Sequence, residues 1–495
     1  MWPRSAAAAG FLGALVLALF SPSHALAVRP GTYGWSQLAS ASGRFLVHYE
    51  PGVSASDAEA AAANFDSAYA REVGGWGFPA PRPDGDGMID VYLTSTGAHL
   101  GEAEPDDPSA ATSSGYALIS PDNAGHLGTA AHELFHLIQY AIYAHGANFL
   151  LEGTAEWAAA NVSGTTPWLL SYWSAPEQSL ECLPGSACAP AGGQDNSYSR
   201  WMFFEHLSER YGPAIVQQVF ARAAALRAGT NPGLDLQAIA DVLAAHGSSL
   251  STEWNAFVSA NAGGAYTLPA LAGSRGRPDA VVTSYTGDPS TALPTDTISV
   301  NHLAARYVSF LSGGGRSPSA RCRAATLTIQ VTVPAGVLAQ PVVATGGGVR
   351  TLGPHGGATI PWTTCQGSSA LIALPNASTT ADGAIFKLYA QLDLVRVAPP
   401  RIRLLLGRRL VVARGRRLLP FNVSSSGRGI LRVGLDRGRV RKRVTLHKGR
   451  NSVRIRLPRG IRAGRHRLTA TAYSSAGARG ATSRRLLVIA FQRAR

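Results

Sequence analysis

Residues 132–136 read His132-Glu133-Leu134-Phe135-His136. Histidines four apart on a helix project from one face. Two imidazoles placed this way can reach a single zinc ion at bonds of about 2.0–2.1 Å. Glu133 lies beside them, where it can hold a water and its proton rather than the metal. A catalytic zinc needs a third protein ligand and one open position. The next segment, Leu150-Leu151-Glu152-Gly153-Thr154-Ala155-Glu156-Trp157, offers Glu152, sixteen residues after His136. If the first helix runs to about His145 and turns at Gly146, the following residues span up to about 3.3 Å each when extended. They then suffice to bring Glu152 level with the histidines. Glu156 sits one turn further on the same face, placed to accept a hydrogen bond from a ligand histidine.

The elements that must position these groups are legible in the surrounding pattern. Thr129 to about Ala160 has helical periodicity with a break at Gly146. Before it, Phe45–Tyr49 and Met88–Leu93 are strand-like, and Ala55–Arg71 is Ala-rich and helical. Gly115–Ser120, an apolar run ended by Pro121, reads as an edge strand. Trp201–Leu226, Leu234–His246 and Thr252–Asn261 continue as helices. Residues 290–395 are rich in Val, Thr and Gly with short alternating runs, and Pro399-Pro400 marks a linker. Beyond it, Val453-Arg454-Ile455-Arg456-Leu457 alternates strictly, and Gly-containing turns recur. The expected fold class is α+β: a catalytic domain over 28–265, a β-sandwich over 285–396, and a basic immunoglobulin-like sandwich over 401–495.

The pair His132-Glu133-x-x-His136 and Leu151-Glu152-Gly153-x-Ala155-Glu156 resembles the gluzincin branch of the zinc metallopeptidases, the thermolysin-like and aminopeptidase-like fold group. The likeness is greatest to secreted bacterial metallopeptidases of that group and covers about residues 40–260. It implies a zincin-like domain with a mixed sheet, active-site helices and a helical lobe. It also implies Zn2+ held by His132, His136 and Glu152, with Glu133 as general base. Glu156 stands where thermolysin-like enzymes have an Asp, and the spacing to the third ligand is shorter than their usual near-twenty. Gluzincins supply a Tyr or His from downstream helices to the oxyanion. Tyr198 is the candidate here, with Tyr172, Tyr211 and His206 as competitors. The edge strand that pairs with peptide substrate in this group is matched to Gly115–Ser120. No Gly-x-Met-Glu-Asn element that would capture a free amino terminus is present. Its absence favours an endopeptidase, and a zinc aminopeptidase stays as a third reading. The other class of reading is a non-catalytic secreted adhesion or binding protein that keeps a peptidase shell. The zinc class built on His-Glu-x-x-His-x-x-Gly-x-x-His is excluded by Gln139 and Ile142. His126 and His145 read as bystanders.

At roughly 150 residues per domain, 495 residues suggest about three domains. Hydrophobic residues at 45% and charged residues at 15% suit buried cores rather than wholesale disorder. The net charge of +15 hides an asymmetry. Residues 401–495 hold 27 of the 45 basic groups and one of the 30 acids, Asp436. That domain is expected to attract polyanions, with an anionic cell-wall or surface polymer as candidate partner. Its few aromatics argue against specific nucleic-acid readout. Arg4, the apolar run Phe11–Phe20 and Ala25-Leu26-Ala27 fit a signal peptide cleaved after Ala27, hence a secreted or cell-surface protein. Four cysteines suit that compartment. Of the three possible pairings, Cys182–Cys188 with Cys322–Cys365 keeps each bridge inside one region. Asp84-Gly85-Asp86-Gly87 lacks a full calcium loop and reads as a turn. Glu102, Glu104, Asp106 and Asp107 read as a solvated loop.

Overall fold

The computed structural model describes residues 29–165, 175–182, 197–269, 271, 282–285, 296–312, 324–363, 368–394, 398–413, 417–436, 440–474 and 479–492. Residues 1–28, where a signal peptide is expected, and Tyr172, Cys188, Cys322 and Cys365 lie outside the described residues. Cys182 is buried, and among the described residues no cysteine is free. The described residues fall into two compact units. One lies within 1–169, 181–249 and 267–270, the other within 170–180, 250–266 and 271–495. Across both, the described residues form seven α-helices and several β-sheets.

The first unit is built on a five-stranded mixed sheet. Its strands are β1 (Ser36–Ala39), β2 (Phe45–Tyr49), β3 (Ile89–Leu93), β4 (Gly101–Pro105) and β5 (Gly115–Ile119), in the order β1-β2-β3-β5-β4. β2, β3 and β5 are parallel, and β4 pairs antiparallel to β5. Ser54 caps helix α1 (Ala55–Tyr69), its hydroxyl accepting from the Asp57 N–H at 3.1 Å. The small residues Ala58, Ala61 and Ala62 let α1 pack closely, and Phe65 meets Phe45 of β2 at 5.3 Å between ring centres. α1 runs on into a single π-helical turn, Ala70–Gly75. Helices α2 (Leu127–Ile142) and α3 (Asn148–Ser163) follow the sheet, and α4 (Trp201–Tyr211), α5 (Ala214–Leu226) and α6 (Pro232–Ala245) complete the unit. Residues 130–140 of α2 are buried throughout, so this helix is a central element rather than a surface one.

Two expectations are corrected here. β5 is not the edge strand: it is hydrogen-bonded on both sides, and β4 closes the sheet. Pro121 lies beyond the end of β5 and removes no ladder bond from it. The acidic stretch Glu102–Asp106 is not a solvated loop: Glu102 and Glu104 lie on the edge strand, a position that tolerates charge.

The second unit includes α7 (Leu250–Gly263), which packs on β10 (Val342–Thr345), β11 (Gly348–Thr351) and β13 (Ser369–Asn376) rather than with the preceding helices. Strands β6 (Val282–Tyr285), β7 (Asp296–Val300), β8 (Ala304–Ser312), β9 (Ala324–Thr332), β12 (Gly357–Thr363) and β14 (Ala384–Leu394) join them in sheets ordered β11-β10-β13-β8-β6 and β12-β9-β14-β7. Phe310 and Ile372 from one sheet share a core with Leu327, Ile329 and Phe386 from the other, which makes a sandwich. Strands β15 (Ile402–Leu405), β16 (Arg409–Ala413), β17 (Leu418–Ser425), β18 (Gly429–Leu435), β19 (Val440–Leu446), β20 (Gly449–Arg456), β21 (Gly464–Tyr473) and β22 (Arg479–Gln492) form a second pair of sheets, β15-β17-β20 and β16-β22-β21-β18-β19. Leu419, Phe421 and Ile455 meet Leu431, Leu468 and Ile489 in their common core.

Candidate metal centre

Helix α2 carries His132 and His136 one turn apart, as the spacing requires. The helix stops at Ile142, not near His145, because Tyr143 turns extended at φ −162°. The chain reverses over residues 143–147, and the Asp235 carboxylate from α6 accepts the Ala147 N–H at 2.7 Å at the start of α3. Glu152 therefore sits in the second turn of α3. The His132 Nε2 and His136 Nε2 atoms stand 3.1 Å apart, and Glu152 Oε2 is 3.2 Å from the first and 3.5 Å from the second. In a tetrahedral site with bonds of about 2.0–2.2 Å, donor atoms stand about 3.3–3.6 Å apart. The three donors thus form one face of a tetrahedron of the size that a zinc-like ion needs.

The tautomers agree with that role. Gln139 donates its side-chain N–H groups to Leu151 O and Thr154 Oγ1, both at 2.9 Å. Its Oε1 is left to accept, and it lies 2.8 Å from His136 Nδ1. His136 therefore carries its proton on Nδ1 and presents a lone pair at Nε2. On the other histidine, Nδ1 stands 3.5 Å from Glu156 Oε2. Glu156 thus lies beside the Nδ1 of a candidate ligand. Gln139 did not stand out in the sequence, where its side chain served only to exclude another zinc class. It locks α2 to α3 as well as orienting the ring.

Burial works against charge throughout the site. It pushes the Glu133 carboxyl up, although the charges of His132 and His136 pull it down. It also pushes Glu152 up, but the charge of His136 and the hydrogen bonds to both histidines outweigh it, so this carboxyl lies below its ordinary range. Burial lowers His132, yet the hydrogen bonds to Glu152 and Glu156 lift it well above the usual value. Burial raises Glu156 against the pull of His132. Behind the site, Glu72 on the π-helical turn is wholly buried, and neither carboxylate oxygen has a hydrogen-bond partner. Burial raises it well above a normal Glu, opposed by the charge of His132. No sequence signal marks it.

Two glycines bring the remaining groups in. A Cβ on Gly101 of β4 would meet Glu133 Oε1 at 2.8 Å and its Cγ at 2.9 Å. The edge strand therefore passes directly against the candidate base, and Tyr140 Oη donates to Ala103 O at 2.8 Å to hold it there. A Cβ on Gly153 would meet Phe204 Cε2 at 3.0 Å and Arg200 Cβ at 3.2 Å. That close approach of α3 seats the short 3₁₀ turn Tyr198–Arg200, and the Tyr198 ring stacks on His132 at 5.6 Å. Tyr211 lies elsewhere, its ring against His246 at 5.1 Å. His206 is buried within α4. His126 is the exposed N-cap position of α2, and His145 packs on Tyr143 in the turn.

The Asp84–Gly87 turn precedes β3 and has a partner the sequence did not indicate. Arg29 contacts Asp84, Asp90 and Asp106, the last through two bonds of 2.8 Å. It ties the start of the described chain to β3 and to the residue that follows β4.

No family profile and no curated protein matches this sequence. Among solved structures, similarity is found to fibronectin(III)-like modules of Clostridium thermocellum CbhA (17% identity, 19% of this chain and 100% of that one, TM-score 0.15). It is also found to the glycoside hydrolase domain of Endo-D from Streptococcus pneumoniae R6 (8% identity, 40% of this chain and 36% of that one, TM-score 0.17). The FN1–FN3 domains of chicken CNTN1 match at 16% identity over 37% of this chain and 67% of that one, with a TM-score of 0.14. These likenesses are too slight to bear on the metal centre.

Proposed function

We propose that this protein is an exported zinc-dependent metallopeptidase that hydrolyses internal peptide bonds. The observation that carries the reading is the convergence of His132 Nε2, His136 Nε2 and Glu152 Oε2 within 4.8 Å of one another, beside a buried Glu133. The donor set, two imidazole nitrogens and a carboxylate, is the chemistry zinc prefers at a hydrolytic site. Zinc held there supplies the Lewis acidity that makes water a nucleophile near neutral pH. A zincin-like fold is supported by the mixed sheet with its antiparallel edge strand against α2.

Glu133 takes a proton from the attacking water as the water oxygen bonds to the carbonyl carbon. The C–N bond then breaks, and Glu133 returns the proton to the leaving amine nitrogen. Burial, which raises its carboxyl, suits a group that must hold that proton between the two events. Tyr198, stacked on His132, donates its hydroxyl proton in a hydrogen bond to the developing oxyanion. An extended peptide added to the free side of β4 runs past Glu133, because the Gly101 backbone abuts that carboxylate. Strand addition reads backbone rather than a free amino terminus, which favours internal cleavage.

A library of end-blocked, internally quenched peptides tests the proposal. Cleavage is expected from the wild-type protein, with loss on chelation and in Glu133→Gln. Metal binding with no cleavage of any peptide would overturn it and leave the adhesion reading.

A further inference from the structure

The outward face of the sheet β16-β22-β21-β18-β19 gathers exposed arginines. Pleating puts Arg432 (β18), Arg441 and Arg443 (β19), Arg465 and Arg467 (β21), Arg484 (β22) and Arg409 (β16) on that face, all exposed. Their spacing is about 4.8 Å across strands and about 6.8 Å along them. Arg432 and Arg443 stand directly opposite each other, a like-charge pair that costs stability when nothing anionic covers it. Asp436, the single acid of residues 401–495, is engaged with His466 and the Arg467 N–H.

Charge is half of the pattern. On the same face Leu486 is 59% exposed, Val411 57% and Val488 37%. Register places Arg467 beside Leu486, and Arg465 and Arg409 on either side of Val488. Exposed aliphatic side chains rimmed by cations mark an interaction surface. A hydrophilic polyanion would use the arginines and leave those aliphatics in water. A nucleic acid would want exposed rings to stack on. Tyr473 is half-buried beneath Arg432, whose guanidinium lies 4.7 Å from its ring centre.

We infer that this sheet face docks the protein on an anionic phospholipid surface. The arginines contact headgroup phosphates, and Leu486, Val488 and Val411 enter the boundary between headgroup and acyl chain. The inference is independent of the metal centre. Co-sedimentation of the full chain with phosphatidylcholine vesicles, with and without phosphatidylglycerol, tests it. Binding is expected only with the anionic lipid. Arg465→Gln/Arg467→Gln should weaken it about 25-fold, at roughly fivefold per arginine. Leu486→Ser/Val488→Ser should weaken vesicle binding and leave binding to soluble polyphosphate unchanged. All four sites are exposed, and Arg450→Gln/Arg454→Gln on the opposite sheet is the control, expected to lose less. Equal losses from both arginine pairs, no vesicle binding, or vesicle binding indifferent to Leu486 and Val488 would each overturn the assignment. The last result would return the face to a hydrophilic polyanion.

Discussion

Replacing Glu133 with Gln keeps the size of the side chain and removes its ability to carry a proton. Turnover should fall by at least about a hundredfold while metal content is retained. Titrating apo protein with zinc should order the carboxylates: Glu152→Ala loses most of the affinity, and Glu156→Ala loses about 10–100-fold. The reverse order would mean the two have exchanged roles. Gln139→Leu should weaken metal by a similar 10–100-fold, since it frees the His136 ring. The meeting of His132, His136 and Glu152 was legible because the i, i+4 spacing puts both histidines on one helix face and a short turn can return the next helix to them. Gln139 and Glu72 were not. Their environment is created by α3 and by the π-helical turn, and neither amide nor carboxylate announces burial in a one-dimensional pattern.

At the level of elements, the approach of β4 to Glu133 is open to direct test. Gly101→Ala would press a methyl group on the carboxylate. We expect a roughly ten- to hundredfold loss of turnover with metal content intact, as for a small misplacement of a reacting group. Asp235 makes the turn between α2 and α3 sensitive to pH. Burial lifts its carboxyl from 3.8 to about 7, while the Ala147 N–H pulls it down. A folded-state value above the unfolded one means its stabilising contribution is full below about pH 4 and is lost as pH rises towards 7. Asp235→Asn keeps an acceptor for Ala147 and should flatten that loss. Thermal unfolding from pH 4 to 8 would show wild type falling relative to the variant; parallel curves would deny Asp235 this role. Most helices and strands of the first unit were legible from periodicity. The edge strand was mistaken because β4 is acidic while β5, of equal length, is apolar. Edge position depends on which strands pair in space, and that is not encoded locally.

Across the whole molecule, the change of character near residue 265 and the two alternating β regions were legible from composition. The grouping of α7 with the β part was not, because its partners β10, β11 and β13 lie far along the chain. Truncation after Val397 should leave peptide hydrolysis nearly unchanged, since every proposed catalytic group lies before residue 200 and within the first unit. Lost hydrolysis would show that the basic sandwich supports the catalytic unit. The central claim is that His132, His136 and Glu152 hold one zinc ion. Elemental mass spectrometry of the purified full chain, beside His132→Ala and His136→Ala, measures it. About one zinc per chain in wild type and almost none in either variant is the predicted result. Wild type without bound transition metal after zinc supplementation, or variants with undiminished zinc, would contradict it.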